Sequence, residues 1–136
     1  MLPNKVKIPK DCDNRLRGLA GRTGLTPNIL CRFGLVMSLE DRSSFTIVPS
    51  NEDGREFNRY TLLGDCERLY EAILVERHGE ASAELLVAHI TRGVGMIAAR
   101  TKSLSDLLML AGKPRSDKAR AGSPQRKPQT KDGTPA

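Results

Sequence analysis

The sequence predicts a mainly α-helical fold that begins with one short strand and is followed by a basic tail. Apolar residues recur at helical spacing in several segments between residues 11 and 110. Residues 4–9 alternate polar and apolar side chains, as a strand with one buried face does. After Gly112 the apolar periodicity ends, and Pro, Lys, Arg, Ser, Gly and Gln dominate. We therefore expect a single domain over residues 1–112 and a disordered basic tail over 113–136.

The N-terminal strand is predicted from the alternation in NKVKIP. Lys5 and Lys7 project to one face, Val6 and Ile8 project to the other, and Pro9 ends the strand. A single strand of this length is not stable without a partner strand. Because the residues that follow are helical in pattern, the expected partner is the same strand of a second copy.

The first helix is predicted to begin at Asp11 or Asp13, either of which can cap it, and to run to about Arg22. Gly24 follows in the position of a left-handed helix stop. The turn after it is short, so the chain runs from strand to helix to tight turn to helix.

The second helix, over residues 25–39, is predicted to be the centre of the fold. Thr26 is its N-cap and Pro27 occupies the first helical position, where a missing N–H costs nothing. One apolar stripe, expected to face the core, holds Ile29, Leu30, Phe33, Val36 and Met37, and a second stripe holds Cys31, Leu35 and Leu39. A helix that is apolar nearly all round needs cover on more than one side, so it lies at the centre of a fold or at a subunit interface.

The rest of the chain is predicted to complete a helical bundle. Further helices are expected over residues 65–78, 82–100 and 103–110, with Asp65, Ser82 and Ser103 as caps, and a short strand over 44–48. Gly93 and Gly95 lie inside a predicted helix, where each costs about 1 kcal/mol relative to alanine. Close packing of another helix would explain them.

Charge is distributed unevenly along the chain. Residues 1–39, the basic head, hold seven Lys/Arg and two Asp, a net charge of +5. Residues 40–112, the acidic middle, carry −4, and the basic tail carries +5. This pattern favours a polyanion bound by head or tail, although the acidic middle could equally pair with a neighbouring subunit's head. The simplest alternative is a solvated surface with no partner.

The sequence shows no catalytic constellation and no metal site. Cys12, Cys31 and Cys66 form no CxxC pair, and with only two histidines no set has the spacing of a zinc site. Cys31 is expected in the core, which leaves Cys66, at a helix start, as the best candidate for a reactive thiol. No cofactor is expected. The chain has neither a membrane-spanning run nor a secretory signal, so a cytoplasmic location is expected.

Phosphate binding has the stronger support in the residue pattern. The start of the second helix offers the amides of Asn28 and Ile29 and a positive dipole end. Nearby cations are Lys5 and Lys7 on the strand and Arg15, Arg17 and Arg22 on the first helix. Few Asn or Gln side chains lie on the strand to contact base edges, so we expect backbone binding with weak sequence preference. A second possible phosphate contact is the pair His89 and Arg92, three residues apart on one helical face.

The order of strand, helix, tight turn and helix resembles the ribbon–helix–helix DNA-binding unit. In that family two chains pair their N-terminal strands, and their second helices pack across a two-fold axis. The resemblance implies a dimeric transcriptional repressor, which we keep as an alternative.

Three blocks of sequence resemble the DndE family of DNA sulfur modification proteins. They are RLRGLAGRTGLTPNILCRFGLVMSLED, GREFNRYTLLGD and HITRGV, in this order over residues 1 to about 112. The resemblance implies a non-catalytic subunit that binds duplex DNA, particularly nicked duplex, in the bacterial system that replaces a backbone oxygen with sulfur. It also implies a homo-oligomer, a tetramer in that family, working beside a cysteine desulfurase and other modification proteins.

The resemblance implies that surface lysines bind DNA, and Lys5, Lys7 and Lys10 would fill that role here. The full set of candidate DNA-binding residues is Lys5, Lys7, Lys10, Arg15, Arg17, Arg22, Asn28 and Arg32. Two further alternatives stay open: a sulfur carrier or nickase using Cys66 or Cys12, and a scaffold whose acidic middle binds the other modification proteins.

Overall fold

A computed structural model describes residues 2–47 and 51–112, and these are mainly helical. The elements are β1 (Lys5–Lys7), α1 (Lys10–Thr23), α2 (Pro27–Glu40), β2 (Glu56–Asn58), α3 (Arg59–Leu63), a 3-10 turn (Gly64–Cys66), α4 (Glu67–His78), α5 (Ala83–Arg100) and α6 (Leu104–Gly112). The mainly α fold with an N-terminal strand is thus confirmed. The predicted tail, 113–136, lies outside the described residues. Within them, no helix combines the length and apolarity needed to cross a bilayer.

The helix boundaries follow from local capping. Gly24 ends α1 with φ 79°, and its N–H donates to the carbonyl oxygen of Ala20, as predicted. The predicted caps of α1 are wrong, because the helix begins at Lys10, and the Lys10 N–H donates to Oδ1 of Asp53 at 2.9 Å. The cap therefore comes from a residue far along the chain. Thr26 caps α2 as predicted, its side chain accepting the Ile29 N–H.

α2 and α5 cross in backbone contact at two glycines. A Cβ at Gly93 would overlap the backbone of Gly34, and a Cβ at Gly34 would lie 2.8 Å from the backbone nitrogen of Val94. The close helix contact predicted for Gly93 is confirmed. For Gly95 it is wrong, since nothing lies within 4 Å of a Cβ placed there.

The crossing decides which side of α2 is buried. Leu30, Cys31 and Leu35 are fully buried, whereas Ile29 is 37 % exposed and Val36 41 % exposed. The prediction that the first stripe faces the core is therefore wrong for Ile29 and Val36. Leu30 is in the core, Phe33 and Met37 pack partly buried against it, and the second stripe is buried as well. The reason is that Gly34, which lies between Leu30 and Cys31 on the helix surface, lets that side approach α5.

β1 pairs with β2 of the same chain. The two strands are antiparallel, with Val6 opposite Phe57 and both side chains buried. The expected pairing of β1 with a second copy is therefore wrong, and the ribbon–helix–helix arrangement is not confirmed. β2 was missed because its three residues carry one apolar side chain, too few to show alternation. The described part of the predicted strand at 44–48, residues 44–47, is not a strand.

A buried arginine fixes the N-terminus to the helices beyond β2. Arg59 is 7 % exposed; its guanidinium donates to the carbonyl oxygen of Leu2 and forms an ion pair with Glu67 at 2.9 Å. The backbone N–H of Arg59 also donates to the carbonyl oxygen of Asn4. The segment before α1 is therefore anchored at several points, so β1 is held where its lysines face outward.

We predict that Gly93→Ala destabilises the fold while Gly95→Ala does not. The methyl group at position 93 has no space against Gly34, so the helices must separate, at a cost of about 3 kcal/mol. At position 95 the space is open, and the better helix propensity of alanine should raise the free energy of unfolding by up to about 1 kcal/mol. Urea unfolding followed by circular dichroism measures both, and equal stabilities of the two variants would contradict the crossing.

Candidate nucleic-acid interface

The outer face of α1 carries the densest group of exposed cations in the basic head. The helix is amphipathic: Cys12, Leu16 and Leu19 are fully buried on its inner side. Its exposed cations are Lys10, Arg15, Arg17 and Arg22. Arg15 lies 3.9 Å from Asp11, a separation at which an exposed pair contributes little. The face can therefore offer several charges to one polyanion.

The lysines of β1 have acidic neighbours. Lys5 forms an exposed ion pair with Glu56 at 3.5 Å. Lys5 and Lys7 line a concavity of about 420 Å³ that Glu52 and Glu84 also line. These carboxylates offset part of the positive charge, so β1 offers a weaker attraction to a phosphate than α1 does.

Two candidates at the start of α2 are engaged in the fold. The Ile29 amide donates to the Thr26 side chain, so of the two predicted amides only that of Asn28 remains for a ligand among the described residues. Arg32 donates from Nε to the carbonyl oxygen of Leu62 at 2.8 Å and from Nη2 to that of Thr61 at 2.7 Å. Arg32 therefore joins α2 to the end of α3 and does not stand with the exposed cations of α1.

The predicted phosphate contact at His89 is wrong, because the side chain is fully buried. Its Nδ1 is hydrogen-bonded to Oγ of Ser38 at 2.8 Å, and its Nε2 to Nε2 of His78 at 2.8 Å. Burial, and then the nearby positive charges of His78, Arg77 and Arg92, lower the pKa of His89 to about 4. His89 is therefore neutral near pH 7 and links three helices through hydrogen bonds.

The side chain of Arg92 is likewise engaged in contacts within the fold. Its guanidinium lies 3.1 Å from the Asp41 carboxylate, donates to Oγ of Ser43 at 2.9 Å and covers the Phe45 ring at 4.3 Å. Hydrogen bonds from Ser43, and then Arg92, hold the pKa of Asp41 below its ordinary value. Arg92 therefore fixes the segment after α2, and sequence spacing alone did not show this because its partners lie about 50 residues away.

The cysteines differ in access. Burial raises the pKa of Cys12 to about 11, and it also raises the pKa of Cys31. Both thiols are therefore protonated near neutral pH and poor nucleophiles. Cys66 is exposed where α4 begins.

One charged cluster at α1 was not predicted in full. Asp13, 5 % exposed, accepts hydrogen bonds from Nε of Arg17 at 3.2 Å and from Nε of Arg55 at 2.7 Å. Arg55 lies in the acidic middle, so the charge distribution along the sequence gave no reason to group it with the cations of the basic head. Gly54, directly before it, was the available signal, since a glycine in a turn can mark a close approach of backbones.

Comparison with known proteins gives a matching family and several similar solved structures, which include two structures of DndE. The family described as "DNA sulphur modification protein DndE" matches residues 5–105. A crystal structure of DndE from Escherichia coli B7A, described as involved in DNA phosphorothioation modification, is 27% identical; the match covers 69% of this chain and 97% of that chain, with a TM-score of 0.62. A DndE glycine-to-lysine double mutant is 23% identical over 70% of this chain and 99% of that chain, with a TM-score of 0.59, and shows the fold alone. No curated protein matches the chain.

We predict that folding stability depends on pH through His89. The pKa is about 4 in the folded protein and 6.5 for the ordinary side chain, so the unfolded chain binds more protons between these values. Stability is therefore complete above about pH 6.5 and falls as the pH drops toward 4, by about 3 kcal/mol from this group.

Chemical denaturation of the wild type and of His89→Gln across this pH range measures the effect. The variant keeps a polar partner for Ser38 but does not titrate, so the stability difference between the two proteins should shrink as the pH falls. A difference that is independent of pH would contradict the assignment. Carboxylates that titrate in the same range are present in both proteins and cancel.

Proposed function

The chain belongs to the DndE family of DNA sulphur modification proteins, and from this premise we propose that it is a non-catalytic, DNA-binding subunit of the phosphorothioation machinery. It binds the backbone of duplex DNA, with a preference for nicked duplex, in the cytoplasm beside a cysteine desulfurase and the other modification proteins. The observation that carries this proposal is the group of exposed cations on the outer face of α1.

The chemistry of that face fits a phosphate backbone. Arg15 and Arg22 lie about two helical turns apart, near 11 Å, along one edge of the exposed face of α1, and Lys10 and Arg17 lie along its other edge. Cations that neutralise phosphates release condensed counterions, which gives affinity without base recognition. A nick adds a flexible joint to the duplex, and a duplex that bends at the joint lets more of these cations reach phosphates.

A non-catalytic role is supported by the burial of two of the three cysteine thiols. Cys12 and Cys31 are buried with raised pKa values, which leaves Cys66 as the residue on which a sulfur-carrier role would depend. A repressor is less well supported, because β1 is paired inside the chain and its outward side chains are lysines, which bind phosphates more readily than base edges.

We also propose that copies of the chain associate through the outward side of α2. Ile29 and Val36 are exposed there, and with Phe33 and Met37 they line a groove of about 490 Å³ that α6 closes with Leu107. Association of copies would bury this apolar surface and bring the α1 faces of several chains into one assembly.

We predict that the double variant Arg15→Gln/Arg22→Gln weakens binding to a nicked duplex by about 10- to 100-fold near 0.1 M salt. Each lost phosphate contact should reduce the slope of log K against log salt by about 0.9, so the double variant should lose about 2. Fluorescence anisotropy over a salt series measures both quantities.

The control is Arg68→Gln, which removes an exposed arginine from α4, in the acidic middle. It should bind as the wild type does. A wild type whose affinity does not depend on salt, or a double variant that matches the control, would count against the proposal.

We predict that Val36→Glu dissociates the assembly, whereas Val75→Glu does not. Both valines are exposed in the single chain, at 41 % and 49 %, but only Val36 lies on the proposed contact surface. Light scattering should give the wild type and Val75→Glu a mass that is a multiple of 14.9 kDa, and Val36→Glu a mass of one chain. A wild type of 14.9 kDa would rule out the association.

A further inference from the structure

We propose that Arg17 and Arg55 form a two-armed site for a backbone phosphodiester, with the buried Asp13 as the residue that positions both arms. This inference rests on the proposed function, because it names how that surface takes hold of a phosphate. It adds a contact from the acidic middle, Arg55, to a surface otherwise built from the basic head.

The first observation is that Arg17 and Arg55 each use only one nitrogen to bind Asp13. Each arginine gives only its Nε to the carboxylate, Arg17 to Oδ2 and Arg55 to Oδ1. No hydrogen bond from the terminal nitrogens of either arginine is found in the described part of the chain. These nitrogens carry most of the N–H donors of a guanidinium, in the planar arrangement that suits phosphate oxygens.

The second observation is the contrast in exposure within the cluster. The Asp13 side chain is 7% exposed, whereas that of Arg17 is 69% exposed and that of Arg55 is 36% exposed. The anion therefore lies beneath the two cations, with the guanidinium groups between it and solvent. A ligand that approaches from solvent meets the guanidinium groups before the carboxylate.

The third observation is that the backbone fixes Arg55 next to α1. The Gly54 N–H donates to the carbonyl oxygen of Ile8 at 2.9 Å, and the Ile8 N–H donates to that of Arg55 at 3.0 Å. A Cβ at position 54 would lie 2.5 Å from the Ile8 oxygen, so the approach requires glycine. Backbone hydrogen bonds therefore hold Arg55 beside α1 independently of the contact between its side chain and Asp13.

Charge favours an anion at this place. A single ion pair between Arg55 and Asp13 would suffice to hold the Arg55 segment against α1. Two guanidinium groups instead share the Asp13 carboxylate, so the three side chains together carry a net positive charge. Lys10 and Asn14 line the same concavity, of about 520 Å³. Its lining holds three cationic residues, Lys10, Arg17 and Arg55, and two acidic ones, Asp13 and Asp53, of which Asp53 accepts the Lys10 N–H at the start of α1. A phosphodiester would offset the repulsion between the two guanidinium groups and accept their free N–H groups.

The test compares Asp13→Asn, Arg55→Gln and Arg55→Lys with the control Arg68→Gln, in the full chain with a nicked duplex. Asp13→Asn makes the protein more positive, so a surface that acts only through its total charge would bind more tightly. The positioning role predicts the opposite: weaker binding, by about 10-fold, with both arginines still present. Arg55→Gln should lose about 10-fold and reduce the salt slope by about 1.

Arg55→Lys keeps the charge, but an ammonium cannot hold Asp13 through one nitrogen and present others in a plane. It should therefore bind several-fold more weakly than the wild type, and it keeps the test decisive if Asp13→Asn does not fold. Tighter binding by Asp13→Asn, or binding by both Arg55 variants equal to the control, would overturn this site alone, with the proposed function intact. A wild type without salt-dependent affinity would overturn both.

Discussion

The contact between Gly34 and Gly93 is the constraint on which the rest of the structure depends. With no side chain at either position, the backbones of α2 and α5 meet, and neighbouring apolar residues of both helices, Leu35 and Ile90 among them, are fully buried. This crossing fixes the rotation of α2 about its own axis. One apolar stripe of α2 is then buried, and Ile29 and Val36 on the other side are left at the surface.

That rotation also connects the fold to the proposed function. α1 joins α2 through the short turn at Gly24 and buries Leu16 and Leu19, so its charged side faces solvent. The outward side of α2 remains apolar. A single chain thus presents a cationic surface and an apolar surface, which is the combination expected if copies associate and present several cationic faces to one DNA molecule.

Among the described residues, local sequence signals predicted every α-helix except the short α3, whereas long-range contacts could not be predicted. Thr26, Ser82 and Gly24 stand at helix ends as their capping chemistry requires, because a cap depends on neighbours a few residues away. The partner of β1 and the cap from Asp53 depend on where the chain returns after about 45 residues. The periodicity of apolar residues describes single elements and gives no information about that return.

At the candidate site, too, local patterns were predictable and long-range contacts were not. Arg15 and Arg22 were predicted from helical spacing, and the structure leaves both exposed on one helix. His89, Arg92 and Arg32 have the right chemistry for phosphate, but their side chains are used by Ser38, Asp41 and the end of α3. A sequence reports which side chains could bind an anion. It does not report which of them the fold has already engaged.

Amide hydrogen exchange, followed by mass spectrometry with and without a nicked duplex, tests most directly whether the α1 face binds DNA. If the α1 face binds DNA, peptides from residues 10–23 and 52–56 exchange more slowly when the duplex is present, and α4 is unchanged. Protection confined to α4 and α6, with α1 exchanging as in the free protein, would contradict binding by the α1 face.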